Sequence, residues 1–133
     1  MAGNKLHKGQ VLFTTEAPMG NVAQVPDNDK YILSQRTIAF NVNKDKISDF
    51  FLAMLLQTTT VHNQLLSLSS GGTAKGVSQK SLSGLSVAIP LSLEEQRKME
   101  MAFKYINHLI HFQQDKIRYL EENKQFLLQN MFI

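Results

Sequence analysis

SLEEQRKMEMAFKYINHLIHFQQDKIRYLEENKQFLLQNMFI, residues 92–133, is the stretch whose reading decides the fold. Ser92 is followed three residues later by Glu95, the S-x-x-E pattern of a capping box, in which hydroxyl and carboxylate satisfy the orphan amides of a helix start. Pro90 sits just upstream and favours an extended approach. From Ser92 onward there is no proline and no glycine. One apolar series then runs at alternating steps of three and four: Phe103, Ile106, Ile110, Gln113, Ile117, Leu120, Lys124, Leu127 and Met131. This is the a/d pattern of a coiled coil, held for about four heptads. A helix over residues 93–130 is roughly 57 Å long at 1.5 Å per residue, more than a small domain needs for its own core. The stripe is narrow, as suits pairing with one long partner helix. Gln113 and Lys124 are polar seam positions, which weaken pairing but restrict register and orientation.

Working outward, residues 1–91 are left for a globular head, enough for one modest core. Apolar content of 43 % and charged content of 19 % argue against disorder. With no cysteine, disulfide frameworks and cysteine–zinc sites are excluded, and a reducing, cytoplasmic setting is expected. The polar N-terminus has no apolar signal core, and the longest apolar run, Phe50 to Leu56, is too short to span a bilayer, so no membrane role is expected. The net charge of +3 is uneven. Residues 1–92 hold eight Lys/Arg and five Asp/Glu, whereas residues 93–133 hold six of each. A balanced helix suits a protein–protein seam, and a basic head leans weakly toward a polyanion.

Along the head, strands are expected at Lys8–Thr14, Val22–Val25, Tyr31–Leu33, Arg36–Val42 and Ser86–Ile89. Pro18 and Gly20 mark a turn between the first two. Ser48 is placed to cap a buried helix through Leu56, Val61–Leu68 reads as a second, and Ser78 caps a short turn through Leu82. The expected fold is α+β: a small head of short, mostly antiparallel strands with two helices, plus one long C-terminal coiled-coil helix.

Two clusters have chemical character. The glycine loop Gly71-Gly-Thr-Ala-Lys-Gly lets backbone approach a phosphate, although it lacks the P-loop order and reads equally as a solvated linker. Gly72, Thr73, Lys75, Ser78, Gln79 and Lys80 together offer amides, hydroxyls and ammonium groups to a sugar–phosphate backbone. Gln35 and Arg36 form a second pair, of the side-chain types that read adenine and guanine edges. His108 and His111 are three apart on the helix, but they flank the inward Ile110 and read as a solvated face, so no metal is expected. Nothing resembles a nucleophile elbow or a catalytic acid pair; no catalytic residues and no cofactor are expected.

Beyond these features, the order Val77-Ser-Gln-Lys-Ser-Leu, Leu85-Ser-Val-Ala-Ile-Pro-Leu, Leu93-Glu-Glu-Gln-Arg-Lys and Phe126-Leu-Leu-Gln-Asn-Met-Phe resembles the specificity subunit of type I restriction-modification enzymes. In that family a target recognition domain closes on a strand reading roughly I-P-L-P, then E-Q, and passes into a conserved helix ending near L-L-Q-x-M-F. The match runs from about Gly71 to Phe132, with weaker likeness at Gly9–Thr14 and Gly20–Ala23.

The resemblance implies a non-catalytic subunit whose recognition domain binds one half of a bipartite duplex DNA target. Its long helices pack antiparallel, space the half-sites and dock methyltransferase (M) subunits, and through them the restriction (R) subunit. On this reading residues 1–91 are part of a recognition domain and residues 92–133 the dimerising spacer, in a homodimer paired through this helix. A full family member has two of each region; this chain holds one, and its early buried strand is the pattern of the back part of a larger domain. The rival reading is a protein-interaction module that pairs through the helix without binding DNA.

Overall fold

The computed structural model describes residues 5–69 and 76–131. By its contacts the chain divides into two units, one ending at Gln96 and one beginning at Arg97.

The first unit is built on a three-stranded antiparallel sheet of order β2-β1-β3: β1 (Val11–Thr14), β2 (Val22–Gln24) and β3 (Thr37–Ala39). Phe13 lies opposite Val22 on one side and Ile38 on the other. Alternation along β1 points Val11 and Phe13 into the core, both fully buried, while Leu12 and Thr14 are half-buried. The chain reverses between β1 and β2 through Gly20, whose φ of +97° a side chain rarely adopts.

Two helices close the core from one side. α1 (Asp49–Leu56) starts at Ser48, whose hydroxyl accepts from the Phe51 amide at 3.0 Å, as expected from its sequence. α2 (Thr59–Leu68) is capped by Thr58. Phe51, Ala53, Leu56, Val61 and Leu65 are buried, and Phe13 meets Phe40 edge to face at 6.3 Å. α3 (Gln79–Leu82) is a single turn that adds Leu82 to the core.

Two expected strands are absent. Residues 31–33 are irregular, and the segment is held by its own turn. In that turn the Asp27 carboxylate accepts from the Asp29 amide at 2.9 Å and the Tyr31 hydroxyl at 2.8 Å. Those bonds hold the Asp27 carboxyl below its usual range and, from the other side, raise the Tyr31 phenol. Residues 85–89 do alternate half-buried and exposed, with Leu85 and Val87 against the core, but no ladder pairs them. Two other strands are shorter than expected, at Val11–Thr14 and Thr37–Ala39, with Arg36 in a turn rather than a strand.

The second unit is helical. α4 (Leu93–Met131) runs 39 residues, about 58 Å, and the absence of glycine and proline accounts for its continuity. Its first turn belongs to the first unit. The Ser92 hydroxyl accepts from the Glu95 amide at 3.4 Å, a long bond, and the Ser92 carbonyl accepts from the Gln96 amide at 3.1 Å. The architecture is α+β, as expected.

Candidate functional site

The first cluster assembles at one end of β1. Gln35 and Arg36 are the central residues of a turn closed by the Thr37 amide on the Ser34 carbonyl at 3.1 Å. The Arg36 carbonyl then accepts from both the Thr15 amide (2.8 Å) and the Thr15 hydroxyl (3.1 Å). On the other side of the same residue, the Thr15 carbonyl accepts from the Val77 amide at 2.9 Å, and Glu16 bridges to Gly76. Thr15 and Glu16 therefore bring the Gln35–Arg36 turn beside the segment that leads into Ser78, Gln79 and Lys80. Gly76 eases this approach: a Cβ there would sit 3.3 Å from Glu16 Cβ and 3.4 Å from the Thr15 carbonyl, a tight fit.

The electrostatics of this end are partly cancelled. Arg36 Nε lies 3.1 Å from Glu16 Oε1, with both side chains more than half exposed. Such a surface pair contributes little to stability, and an incoming anion can displace it. Ser78 spends its hydroxyl as a helix cap, accepting from the Ser81 amide at 3.0 Å and donating to the Ser81 hydroxyl at 2.9 Å. Lys80 is exposed. Gln79 lines a cleft of about 470 Å³ together with Gln10, Tyr31, Ile38 and Asn41. Gly72, Thr73 and Lys75 lie outside the described residues. Among the described residues no group of three or more His, Cys, Asp or Glu is placed to hold a metal, and no helix is long and apolar enough to cross a membrane.

The second cluster is the face of α4. Phe103, Ile106, Ile110, Ile117, Leu120, Leu127 and Met131 are all exposed in the single chain, and Gln113 and Lys124 fall in the same stripe. A second column was missed in reading the sequence. Tyr105, Phe112, Tyr119 and Phe126 stand seven residues apart, each 61–64 % exposed. They lie roughly 130° around the helix from the seam at 100° per residue, so a partner on the seam leaves them uncovered. Their strict period of seven was the available signal.

Gln96 was missed as well. Its side chain is 1 % exposed, and its Nε2 donates to the Lys46 carbonyl at 2.7 Å and the Pro90 carbonyl at 3.0 Å. It ties the first turn of α4 to the turn before α1 and to the segment that enters the helix. A glutamine six residues after a proline gave a spacing, but the Lys46 partner is fifty residues away in the chain.

A small sheet-and-helix head precedes one long helix whose apolar seam is exposed in the single chain, and comparison with known proteins supplies the family. The chain matches the type I restriction modification DNA specificity domain over residues 3–122, and it belongs to that family. A relative is the type I restriction enzyme MjaIX specificity subunit of Methanocaldococcus jannaschii, 29 % identical over 126 residues. The alignment covers 95 % of this chain but 28 % of that subunit's length.

Proposed function

We propose that the chain recognises duplex DNA sequence-specifically as part of a type I specificity subunit in the cytoplasm. On this reading it directs adenine methylation and cleavage by M and R subunits and performs no chemistry itself. Residues 1–91 serve as part of a target recognition domain, and residues 92–133 pair with a second copy and set the distance between heads. The observation that carries the reading is the convergence of the Gln35–Arg36 turn and the Gly76–Lys80 segment on Thr15 and Glu16, within a chain of this family.

A gel shift on sheared genomic duplex DNA tests it. Binding is expected at about 50 mM salt and is expected to fall steeply by about 200 mM, as phosphate contacts release counterions. Arg36→Ala removes the candidate reader of a guanine edge and should weaken binding to the preferred sequence by about 1–3 kcal/mol while relaxing sequence preference. Glu16→Gln removes the carboxylate that competes for Arg36 and should tighten binding several-fold. The neutralised Arg36–Glu16 pair is also what favours the rival reading, a pairing module without DNA. A dimer that fails to shift DNA at low salt decides for that rival.

We also assign docking of the methyltransferase subunit to the aromatic column. Exposed aromatic rings in a row are expensive to leave in water and are enriched where proteins meet. Phe112→Ser with Tyr119→Ser should abolish co-elution with the M subunit while the sedimentation of the chain alone stays the same. Co-elution that survives the double substitution places docking elsewhere.

A further inference from the structure

We infer that Ile32 reads the 5-methyl group of a thymine in the major groove of the recognised duplex. This deepens the recognition proposed above and rests on it. The Ile32 side chain is 99 % exposed, so it adds nothing to the core. A single apolar side chain in water on a loose loop would need no explanation. This one is held in place. Before it, Asp27 Oδ1 accepts from the Asp29 amide at 2.9 Å and the Tyr31 hydroxyl at 2.8 Å, and Asn28 Oδ1 accepts from the Lys8 amide at 3.1 Å. After it, the Thr37 amide donates to the Ser34 carbonyl at 3.1 Å, and the Arg36 carbonyl takes two bonds from Thr15. Lys8 precedes β1 and Thr15 follows it, so the loop is anchored beyond both ends of one strand. A side chain presented this way loses little freedom when it is covered.

Its surroundings select what covers it. Gln35 and Arg36 follow three and four residues later, and Gln79 lines the same cleft as Ile32. The major groove presents purine edges that suit amide and guanidinium groups, and one apolar group, the thymine methyl. The loop and its cleft offer a side chain for each. The minor groove shows no methyl, so the groove is fixed by the same choice. A phosphate gains nothing from Ile32 and is repelled by the Asp27 and Asp29 carboxylates of the same loop. A protein partner needs an apolar patch of several side chains. Ile32 stands instead beside exposed Asp29, Lys30 and Ser34, with the Tyr31 hydroxyl engaged and Leu33 half-buried.

Deoxyuridine differs from thymidine by that methyl group alone, and it supplies the test. Preferred duplexes are selected with the full chain from a randomised pool, and each thymine of the preferred duplex is replaced in turn by deoxyuridine. One replacement is expected to weaken binding about three- to fivefold, the effect of uncovering one methyl group. Ile32→Ala should bind the parent duplex at least that much more weakly and no longer distinguish thymine from deoxyuridine at that position. Ile32→Val keeps a branched apolar end and should keep the distinction. Because the side chain is exposed, the urea midpoint of Ile32→Ala should equal that of the unmodified chain, so lost binding is not lost folding. Two results overturn the inference. In one, no deoxyuridine replacement weakens binding, as expected if Ile32 seats against a protein. In the other, Ile32→Ala still loses as much at the same thymine as the unmodified chain does. A chain that selects no duplex removes the recognition reading itself, whereas a selected duplex indifferent to Ile32 removes only this contact.

Discussion

Replacing Ile110 and Ile117 together by glutamate is expected to leave the chain monomeric in sedimentation, with its helical circular dichroism unchanged. Both side chains are exposed in the single chain, 47 % and 56 %, so they add little to the folding of the monomer. In a pair they are covered, and each burial is worth about 1.5–3 kcal/mol. Two substitutions count twice in a symmetric pair, so at least about 6 kcal/mol is lost, a rise in the dissociation constant of roughly ten-thousandfold. Four carboxylates brought into the seam raise it further. A dimer of unchanged affinity would show that association uses another surface, and the aromatic column would be the next place to look.

The second large effect is expected at Gln96. Gln96→Ala strands the Lys46 and Pro90 carbonyls and leaves a void where a side chain of 1 % exposure stood. Two lost bonds with their acceptors left unpaired, together with the void, come to about 2–4 kcal/mol, read as a lower urea midpoint for the first unit. Gln96→Glu, nearly the same in shape, should be worse at neutral pH. Both bonds need a donor, and a carboxylate would aim oxygen at oxygen. Only the protonated acid can donate, so the folded form would hold its proton more tightly than the unfolded chain. With the folded pKa raised, the folded state carries more protons as pH climbs through that interval, and stability falls with rising pH. The variant is thus expected to be less unstable at pH 4 than at pH 8. Equal stability of all three proteins would reduce Gln96 to a passive contact.

The parts of the fold that local chemistry dictates were legible before any coordinates. Hydroxyl caps at Ser48 and Ser78 marked helix starts, and thirty-nine residues without glycine or proline marked α4. The misreadings share one cause. At 31–33 and 85–89 the side chains carry strand character, but a strand also needs a partner, and neither segment is laddered to the open edge of β2 or β3. Pattern describes what a segment tolerates; pairing depends on where the rest of the fold places it.

The candidate site was legible in pieces. Arg36 stood out by type, yet its ion pair with Glu16, twenty residues earlier, could not be read from spacing. Ser78 looked like a phosphate ligand and is engaged as a cap, a use its position before α3 equally predicted. The nearness of residues 35–36 to 76–80 depends on Thr15, whose two backbone groups reach both segments, and nothing local to either segment signals it.

The aromatic column has a geometric corollary. In an antiparallel pair the twofold axis is perpendicular to the rods, so the flank of the seam that carries Tyr105, Phe112, Tyr119 and Phe126 lies on the same side in both copies. The rod pair is then two-sided, with eight rings along one side and the row of Arg97, Lys104, His111 and Arg118 from each copy along the other. A visitor that grips the rings reaches both copies at once, so a weak grip on each adds up through avidity. Separating the copies would halve the handhold, and assembly and recruitment would be lost together.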